Sequence, residues 1–314
     1  TSEQLYLSSE NNIDLILDQV SLVKPELVVI DSIQTIFSDN LDSLPGSVSQ
    51  IRECGQQFLQ LAKQQDIAII IIGHVTKEGV IAGPKMLEHM VDTVLYLEGD
   101  DKYDHRILRC AKNRFGTTNE VGIFRMENNG LIEVDNPSEL FLSERQNNIT
   151  GSTIFPSLEG SRPILVEIQA LATNANFGTP QRTVNGFDYK RLAMLLAVLE
   201  KRLGIQIGTK DVFVNLVGGL KVNDPAADLS VISAVASSAQ DKLISDSVVL
   251  IGEVGLGGEV RSVSGLDTRI NESKSLGFKT IIAPRSNVKR LKDLPKSIEI
   301  FGISNVVEAF YKLF

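Results

Sequence analysis

Two stretches in the first half of the chain are aliphatic without polar interruption, residues 27–30 and 67–72. Each ends on polar residues, Asp31-Ser32 in the first case and Gly73-His74 in the second. Before each stretch apolar residues recur at helical spacing, and Asn12 and Ser47 stand where helix caps are expected. Uninterrupted aliphatic strands that alternate with amphipathic helices predict a mostly parallel sheet covered on both faces.

The pattern changes after residue 90. Short strands are predicted at 93–97, 106–112, 122–127 and 131–134, and Asn128-Asn129-Gly130 is a hairpin signal between the last two. A polar stretch at 144–152 predicts a linker, which divides the chain into domains at 1–148 and 149–314. The second domain mixes strands with amphipathic helices and is predicted to be α+β.

The composition, 43% hydrophobic and 22% charged over 314 residues, is typical of a soluble globular protein of two domains. The apolar stretches are far shorter than the roughly 18 residues that span a membrane, and the polar start does not resemble a signal peptide. We therefore expect a cytoplasmic protein without a membrane partner. Cys54 and Cys110 are too few for a disulfide framework or a four-cysteine zinc site, so we expect buried thiols.

The two halves of the chain differ in charge. Net charge is −11 over residues 1–150 and +3 over the remainder, against −8 for the whole chain. This asymmetry favours two domains with different electrostatic roles, although ordinary surface variation is an alternative. Overall acidity does not exclude nucleic-acid binding, because a local basic surface determines the field that a phosphate backbone meets.

Asp31 is the first candidate for chemistry. A carboxylate at the carboxyl end of a parallel strand is what a Walker B element uses to hold Mg²⁺ against the phosphates of a nucleotide. His74, at the end of the next strand, is placed to sense a γ-phosphate. The alternatives are a turn-forming aspartate and an ordinary polar histidine. The phosphate-binding loop G-x-x-x-x-G-K-[ST] does not occur in the sequence, so the chain is either no P-loop protein or a piece whose loop lies upstream.

Three cations are further candidates. Lys112 and Arg114 are two residues apart at a strand end, so both side chains project to one side, as an arginine finger acting on a phosphoryl group requires. Lys77 lies in a glycine-bearing loop that suits an approach to a nucleic-acid strand. A solvated strand end and a flexible connection are the alternative interpretations.

Several sequence runs resemble the bacterial RadA/Sms DNA-repair family. In the first half they are KPELVVIDSIQT (24–35), GHVTKEGVIAGP (73–84), LEHMVD (87–92) and KNRFG (112–116). In the second half they are DYKRLA (188–193) and GEVGLGGEVR (252–261), so the resemblance covers essentially the whole chain.

This resemblance implies a fold and an activity. The fold is an α/β RecA-like ATPase core, here partial because the P-loop strand is not in the chain, followed by an α+β Lon-protease-like domain. The implied activity is DNA-dependent ATP hydrolysis by a helicase-type motor in branch migration and stress response. The implied partners are single-stranded and branched DNA, further copies of the chain in a homohexameric ring, and the RecA recombinase. The implied cofactors are ATP and Mg²⁺, with zinc expected only in an N-terminal finger that this sequence does not contain.

The resemblance also implies residue roles. Asp31 would be the Walker B carboxylate and metal ligand, with Ser32 beside it in the nucleotide site. His74 would lie at the end of the sensor strand and Lys77 in a loop facing DNA. Lys112 and Arg114 would reach the nucleotide of a neighbouring subunit.

The sequence departs from the pattern of the family in its chemistry. The Walker A lysine with its Ser/Thr and the glutamate that usually follows are not in the chain, so we expect this chain not to turn over ATP. Ala226 stands where a Lon peptidase has its serine, and Asp267 where it has its lysine, so a Ser–Lys peptidase is disfavoured. A non-catalytic DNA-binding or assembly scaffold stays open as the alternative to a motor.

Cations in the second domain are candidate phosphate contacts. They lie in its densest basic stretch: Arg285, Lys289, Arg290, Lys292 and Lys296. A solvated basic surface explains them equally well.

Overall fold

The computed structural model describes residues 4–74, 82–99, 104–142, 145–175, 178–291 and 297–314. The candidates Lys77, Lys292 and Lys296 lie outside these residues. The chain forms two compact units, one of Thr1–Leu95 with Cys110–Thr118 and the other of Tyr96–Arg109 with Asn119–Phe314.

The first unit opens with alternating helices and strands: α1 (Ile13–Val23), β1 (Leu27–Asp31), α2 (Val48–Gln65), β2 (Ala68–Ile72) and α3 (Ala82–Met90). The predicted caps are confirmed. The Asn12 side chain accepts hydrogen bonds from the first-turn amides of α1, and the Ser47 side chain accepts one from the amide of Gln50 in α2.

Strands β1 and β2 are parallel and in register from Leu27 opposite Ala68 to Asp31 opposite Ile72. One face of the pair packs on α1 and α2, with a core that includes Ile13, Ile51 and Phe58. The other face leaves Leu27, Val29 and Ile70 about half exposed, at 50%, 53% and 51%. The predicted parallel pairing is confirmed, but in the described residues only one of its faces is covered.

The next four strands form a sheet in chain order: β3 (Thr93–Gly99), β4 (His105–Asn113), β5 (Val121–Glu127) and β6 (Gly130–Glu133). Strands β4, β5 and β6 pair antiparallel, and Gly130, with φ +110°, follows the predicted hairpin turn. Ile107 and Ile123 belong to the core of the second unit. The second compact unit therefore includes strands on the N-terminal side of residue 149, where the domain boundary remains a prediction.

The rest of the second unit combines strands and helices: α4 (Pro137–Leu142), β7 (Ser152–Glu159), β8 (Arg162–Asn174), β9 (Arg182–Asn185), α5 (Tyr189–Leu203), β10 (Lys210–Leu216), α6 (Asp228–Gln240), β11 (Val248–Leu250), β12 (Glu253–Val254), β13 (Val260–Arg261), α7 (Leu266–Ser275), β14 (Thr280–Pro284), α8 (Arg285–Val288), β15 (Glu299–Ile303) and α9 (Val306–Leu313). The mixed composition predicted for this half is confirmed.

Seven of these strands form one sheet in the order β15-β14-β11-β7-β8-β10-β9. The pairs from β15 to β7 are parallel, β8 is antiparallel to both β7 and β10, and β9 is parallel to β10. Helix α6 packs against β7 and β8 and is buried over most of its length. None of the helices in the described ranges is both long and apolar enough to cross a membrane.

Candidate functional site

The carboxyl ends of β1 and β2 bring two of the predicted site residues of the first unit together. Asp31 ends β1, and His74 follows the end of β2. Because the strands are parallel and adjacent, the two side chains meet at one edge, with 3.9 Å between Nε2 of His74 and Oδ1 of Asp31. Both side chains are open to solvent, at 73% for His74 and 67% for Asp31.

Residues after β1 hold this edge in place. A 3₁₀ turn at Ile33–Thr35 follows Ser32, whose carbonyl accepts a hydrogen bond from the Thr35 hydroxyl at 2.9 Å. The Gln34 amide donates to the carbonyl of His74 at 3.1 Å, which joins the ends of the two strands. The Oε1 atom of Gln34 is buried and has no hydrogen-bond partner within the described residues. Sequence reasoning did not single out Gln34, because its contact is formed across 40 residues.

The edge fits one part of a nucleotide site. The exposed carboxylate of Asp31 is a hard oxygen ligand, and Mg²⁺ typically takes one or two carboxylates and fills its remaining positions with water and phosphate oxygens. The described residues contain no cluster of three His, Cys, Asp or Glu side chains that would hold a metal alone. Since no phosphate-binding loop occurs in the sequence, these residues fit the metal side of such a site and not its phosphate cradle.

Lys112 lies at the C-terminus of helix α3. Its Nζ donates hydrogen bonds to the carbonyls of Glu88 and Val91, both at 2.7 Å, and of His89 at 3.4 Å. The last carbonyls of a helix have no partner within the helix and carry the negative end of its dipole, so an ammonium is favoured there. Lys112 therefore acts as a cap on α3 in this structure.

Arg114 is tied to Asp92, the residue that follows Val91. Its NH1 donates to Oδ1 of Asp92 at 3.0 Å, and its amide donates to the Asp92 carbonyl at 3.1 Å. The guanidinium is 54% exposed, unlike the ammonium of Lys112, which bonds three carbonyls. Both cations contact residues 88–92, but Lys112 is held by three carbonyls, whereas the guanidinium of Arg114 is half exposed.

The candidate phosphate contacts of the second unit also include one cation that is bound to other residues and two that are exposed. Arg285 is bound to the Glu308 carboxylate at 2.6 Å and to the Gly302 carbonyl at 3.2 Å. Lys289 and Arg290 follow helix α8, are exposed, and form no ion pair within the described ranges. Among the three cations of that stretch that the structure describes, Lys289 and Arg290 are the freer ones.

Comparison with known proteins identifies the family. The chain is 49% identical to the DNA repair protein RadA of Halalkalibacterium halodurans over 98% of this chain and 67% of that protein. It is 48% identical to the same-named proteins of Listeria monocytogenes and Streptococcus pneumoniae, over 99% of this chain and 68% and 74% of theirs. The chain belongs to the RadA family. Residues 203–308 also match the Lon protease (S16) C-terminal proteolytic domain, which confirms the Lon-like part of the predicted fold.

The Lon-like part of this RadA family member has no serine at the expected place. Ala226 is buried in the 3₁₀ turn before α6, where its amide donates to Oδ1 of Asp224 at 2.9 Å. Asp267, which stands at the lysine position, is exposed in the first turn of α7. The cation that does approach this turn is Arg269, a fully buried side chain.

Arg269 forms an ion pair with Asp224 beside this turn. Its guanidinium bonds the Asp224 carboxylate, the carbonyl of Pro156 and, at 3.1 Å, the carbonyl of Ser264. Burial lowers the pKa of Arg269, and the charge of Asp224 opposes that effect. An arginine does not give up its proton in proteins, so this group cannot serve as the base that a Ser–Lys site needs.

The buried carboxylate of Asp228 was also missed by the sequence analysis. Asp228 begins α6, is fully buried, and accepts hydrogen bonds from the Arg191 guanidinium and, at 3.0 Å, from the amide of Val254. Burial raises the pKa of Asp228, whereas its hydrogen bond with Arg191 acts in the opposite direction. An acidic residue inside the small and apolar run 225–236 was the available signal.

Proposed function

We propose that the chain is part of a DNA repair motor, a partial RecA-like ATPase core joined to a Lon-like domain without peptidase activity. The observation that carries the proposal is the meeting of Asp31 and His74 at the carboxyl edge of two parallel strands, 3.9 Å apart. Ligands of open α/β sheets bind outside the carboxyl ends of the strands. Family membership supports the DNA repair role, because the relatives are named DNA repair proteins.

The uncovered face of β1 and β2 supports the partial core. Leu27, Val29 and Ile70 form a row of half-exposed aliphatic side chains on a strand pair whose other face packs on α1 and α2. Parallel strands of α/β proteins are normally covered on both faces. In our proposal the longer relatives, of which this chain spans about two thirds, supply the elements that cover this face and the loop that binds phosphate.

The site residues have separate roles in this proposal. Asp31, with Ser32 beside it, takes Mg²⁺ bound to ATP, and His74 reports the state of the γ-phosphate. Arg114 is the cation that reaches a nucleotide in a neighbouring subunit of a ring, because its guanidinium is half exposed. Lys112 holds the end of α3 behind it. The bound metal nucleotide would supply the phosphoryl group, and these residues would orient it and stabilise its charge.

DNA contact is proposed for both parts of the chain. Lys77 would face single-stranded or branched DNA, and Lys289 with Arg290 would add phosphate contacts from the second unit. Assembly as a homohexamer and action beside the RecA recombinase complete the proposal. The alternative is a scaffold that binds DNA without turning over nucleotide, which the exposed Lys289 and Arg290 favour equally.

A phosphate-release assay with Mg²⁺, ATP and single-stranded DNA tests the nucleotide part. We expect this chain to release no more phosphate than its Asp31→Ala variant, because it has no loop to hold the β- and γ-phosphates. DNA-stimulated turnover that the Asp31→Ala variant loses would contradict that expectation and show that the edge is complete without the loop.

A further inference from the structure

A groove on the second unit is independent of the nucleotide edge and of the buried Ala226 turn. It has a volume of about 390 Å³, which is within the range of ligand pockets. Its walls come from the ends of α5 and α6 and from α9: Arg202, Leu203, Ile205, Gln240, Lys242, Val307, Phe310, Tyr311 and Phe314.

The floor of this groove is aromatic and unusually exposed. The rings of Phe310 and Phe314 meet edge to face with 5.5 Å between their centres. Tyr311, a large aromatic residue, is 85% exposed, and Val307 on the same helix is 39% exposed. Exposed apolar side chains that cluster in a concave surface mark interaction sites in soluble proteins.

Two cations border the aromatic floor and no carboxylate side chain lines it. Arg202 is contributed by α5, and Lys242 follows α6 with its Nζ 5.6 Å from the centre of the Phe314 ring. Within the described residues neither cation forms an ion pair with a carboxylate. The acidic side chain of α9, Glu308, is already bound by Arg285 and by the amide of Ser304. The groove thus places two cations beside apolar rings.

We propose that this groove binds an acidic peptide segment of a partner protein that carries a phenylalanine or leucine among its carboxylates. The apolar side chain would enter the floor at Phe310 and Tyr311, while the carboxylates would face Arg202 and Lys242. A nucleic-acid strand fits less well, because strand-binding grooves line the path of the backbone with many cations and this groove offers two.

Fluorescence anisotropy with a labelled peptide tests the proposal on the whole chain. The probe is a short peptide with carboxylates on both sides of one phenylalanine. We expect saturable binding that weakens about tenfold or more in Tyr311→Ala and in Lys242→Glu. The matched controls are Leu256→Ala and Lys221→Glu, exposed apolar and basic residues of the same unit outside the groove, which should bind as the unchanged chain does. A peptide with alanine for phenylalanine and a peptide with amides for carboxylates should each bind more weakly.

Equal binding by all four variants would overturn the proposal, as would equal binding of the neutral peptide. Displacement of the probe by single-stranded DNA with the same dependence on Tyr311 and Lys242 would also overturn it, in favour of a nucleic-acid site. Sedimentation velocity provides the last control. If Tyr311→Ala changes the mass of the chain's own assemblies and leaves peptide binding intact, the groove is a contact between copies and the proposal is wrong.

Discussion

The ammonium of Lys112 donates a hydrogen bond to the carbonyl of Val91 at 2.7 Å. It donates a second one, also at 2.7 Å, to the carbonyl of Glu88 at the end of α3. Helix α3 follows directly after residues 75–81, the segment in which Lys77 is a candidate DNA contact. The end of β4, which carries Lys112, is therefore hydrogen-bonded to the helix that follows that segment.

Because of this contact, we expect Lys112 to contribute more than Arg114 to the free energy of unfolding. Lys112→Met should lower the free energy of unfolding by about 1.5–3 kcal/mol, because three carbonyls lose a charged donor. Arg114→Met should cost less than about 1 kcal/mol, since its pair with Asp92 is half exposed. Urea unfolding followed by circular dichroism measures both losses. Equal losses for the two variants would show that Lys112 does not cap α3.

Removal of the Arg269 side chain should lower the free energy of unfolding more than removal of Lys112 does. Arg269→Ala leaves the Asp224 carboxylate and the carbonyl of Pro156 without their buried partner, which should cost about 3–5 kcal/mol. Arg261→Ala is the matched control, because its pairs with Glu253 and Glu259 lie on the surface, and it should stay within about 1 kcal/mol. If the melting temperature of Arg269→Ala were close to that of the control, the pair of Arg269 with Asp224 would contribute little to stability.

We expect no peptidase activity even when a serine is introduced at Ala226, in the turn Pro225–Ala227. Ala226→Ser would place a hydroxyl beside Asp224 and Arg269, and neither group is a lysine that can lose its proton to activate it. A fluorogenic peptide assay should therefore give the same background rate for the variant and the unchanged chain. Cleavage by the variant, sensitive to a serine-directed inhibitor, would refute this account of the site.

The thiols of Cys54 and Cys110 should differ in reactivity at alkaline pH. Burial, aided by the Glu53 carboxylate, raises the pKa of Cys54 from 9.0 to about 11. The folded state thus holds this proton more tightly than the unfolded chain, so its contribution to stability is complete below pH 9.0 and is lost as pH rises towards about 11.

Alkylation with iodoacetamide near pH 9.0, read by peptide mass spectrometry, measures this contrast directly. The half-buried Cys110 should react first and the fully buried Cys54 only slowly. In addition, Cys54→Ala should remove part of the fall in melting temperature above pH 9.0. Equal labelling rates for both thiols at that pH would rule out the burial effect.

Local signals predicted much of the fold, and the misses have physical causes. The caps Asn12 and Ser47 and the aliphatic runs of β1 and β2 are read from neighbouring residues, so those elements were predicted nearly to the residue. Strand β7 was not predicted, and only its first residue, Ser152, falls in the predicted linker. Its Pro156 lacks an amide proton, and this is tolerated because the described pairing of β7 with β11 covers only Ile154.

The candidate site was predictable only as far as it depends on strand ends. Asp31 and His74 follow adjacent parallel strands, so their meeting follows from the pattern of the sequence. The role of Lys112 does not, because its partners are carbonyls more than 20 residues away and carry no side-chain signature. Arg269 was missed for the same reason, since its partner Asp224 lies 45 residues before it.

The most direct test of the central claim is binding of fluorescein-labelled single-stranded DNA to the whole chain across a salt series, read by anisotropy. We predict that the logarithm of the binding constant falls linearly with the logarithm of salt between about 50 and 200 mM, by about 0.7 per phosphate contact. The double variant Lys289→Glu with Arg290→Glu should bind more weakly and with a shallower slope, while Lys221→Glu should match the unchanged chain. Binding that is absent, or that does not respond to salt or to the double variant, would contradict the account of this chain as the DNA-contacting part of a repair motor.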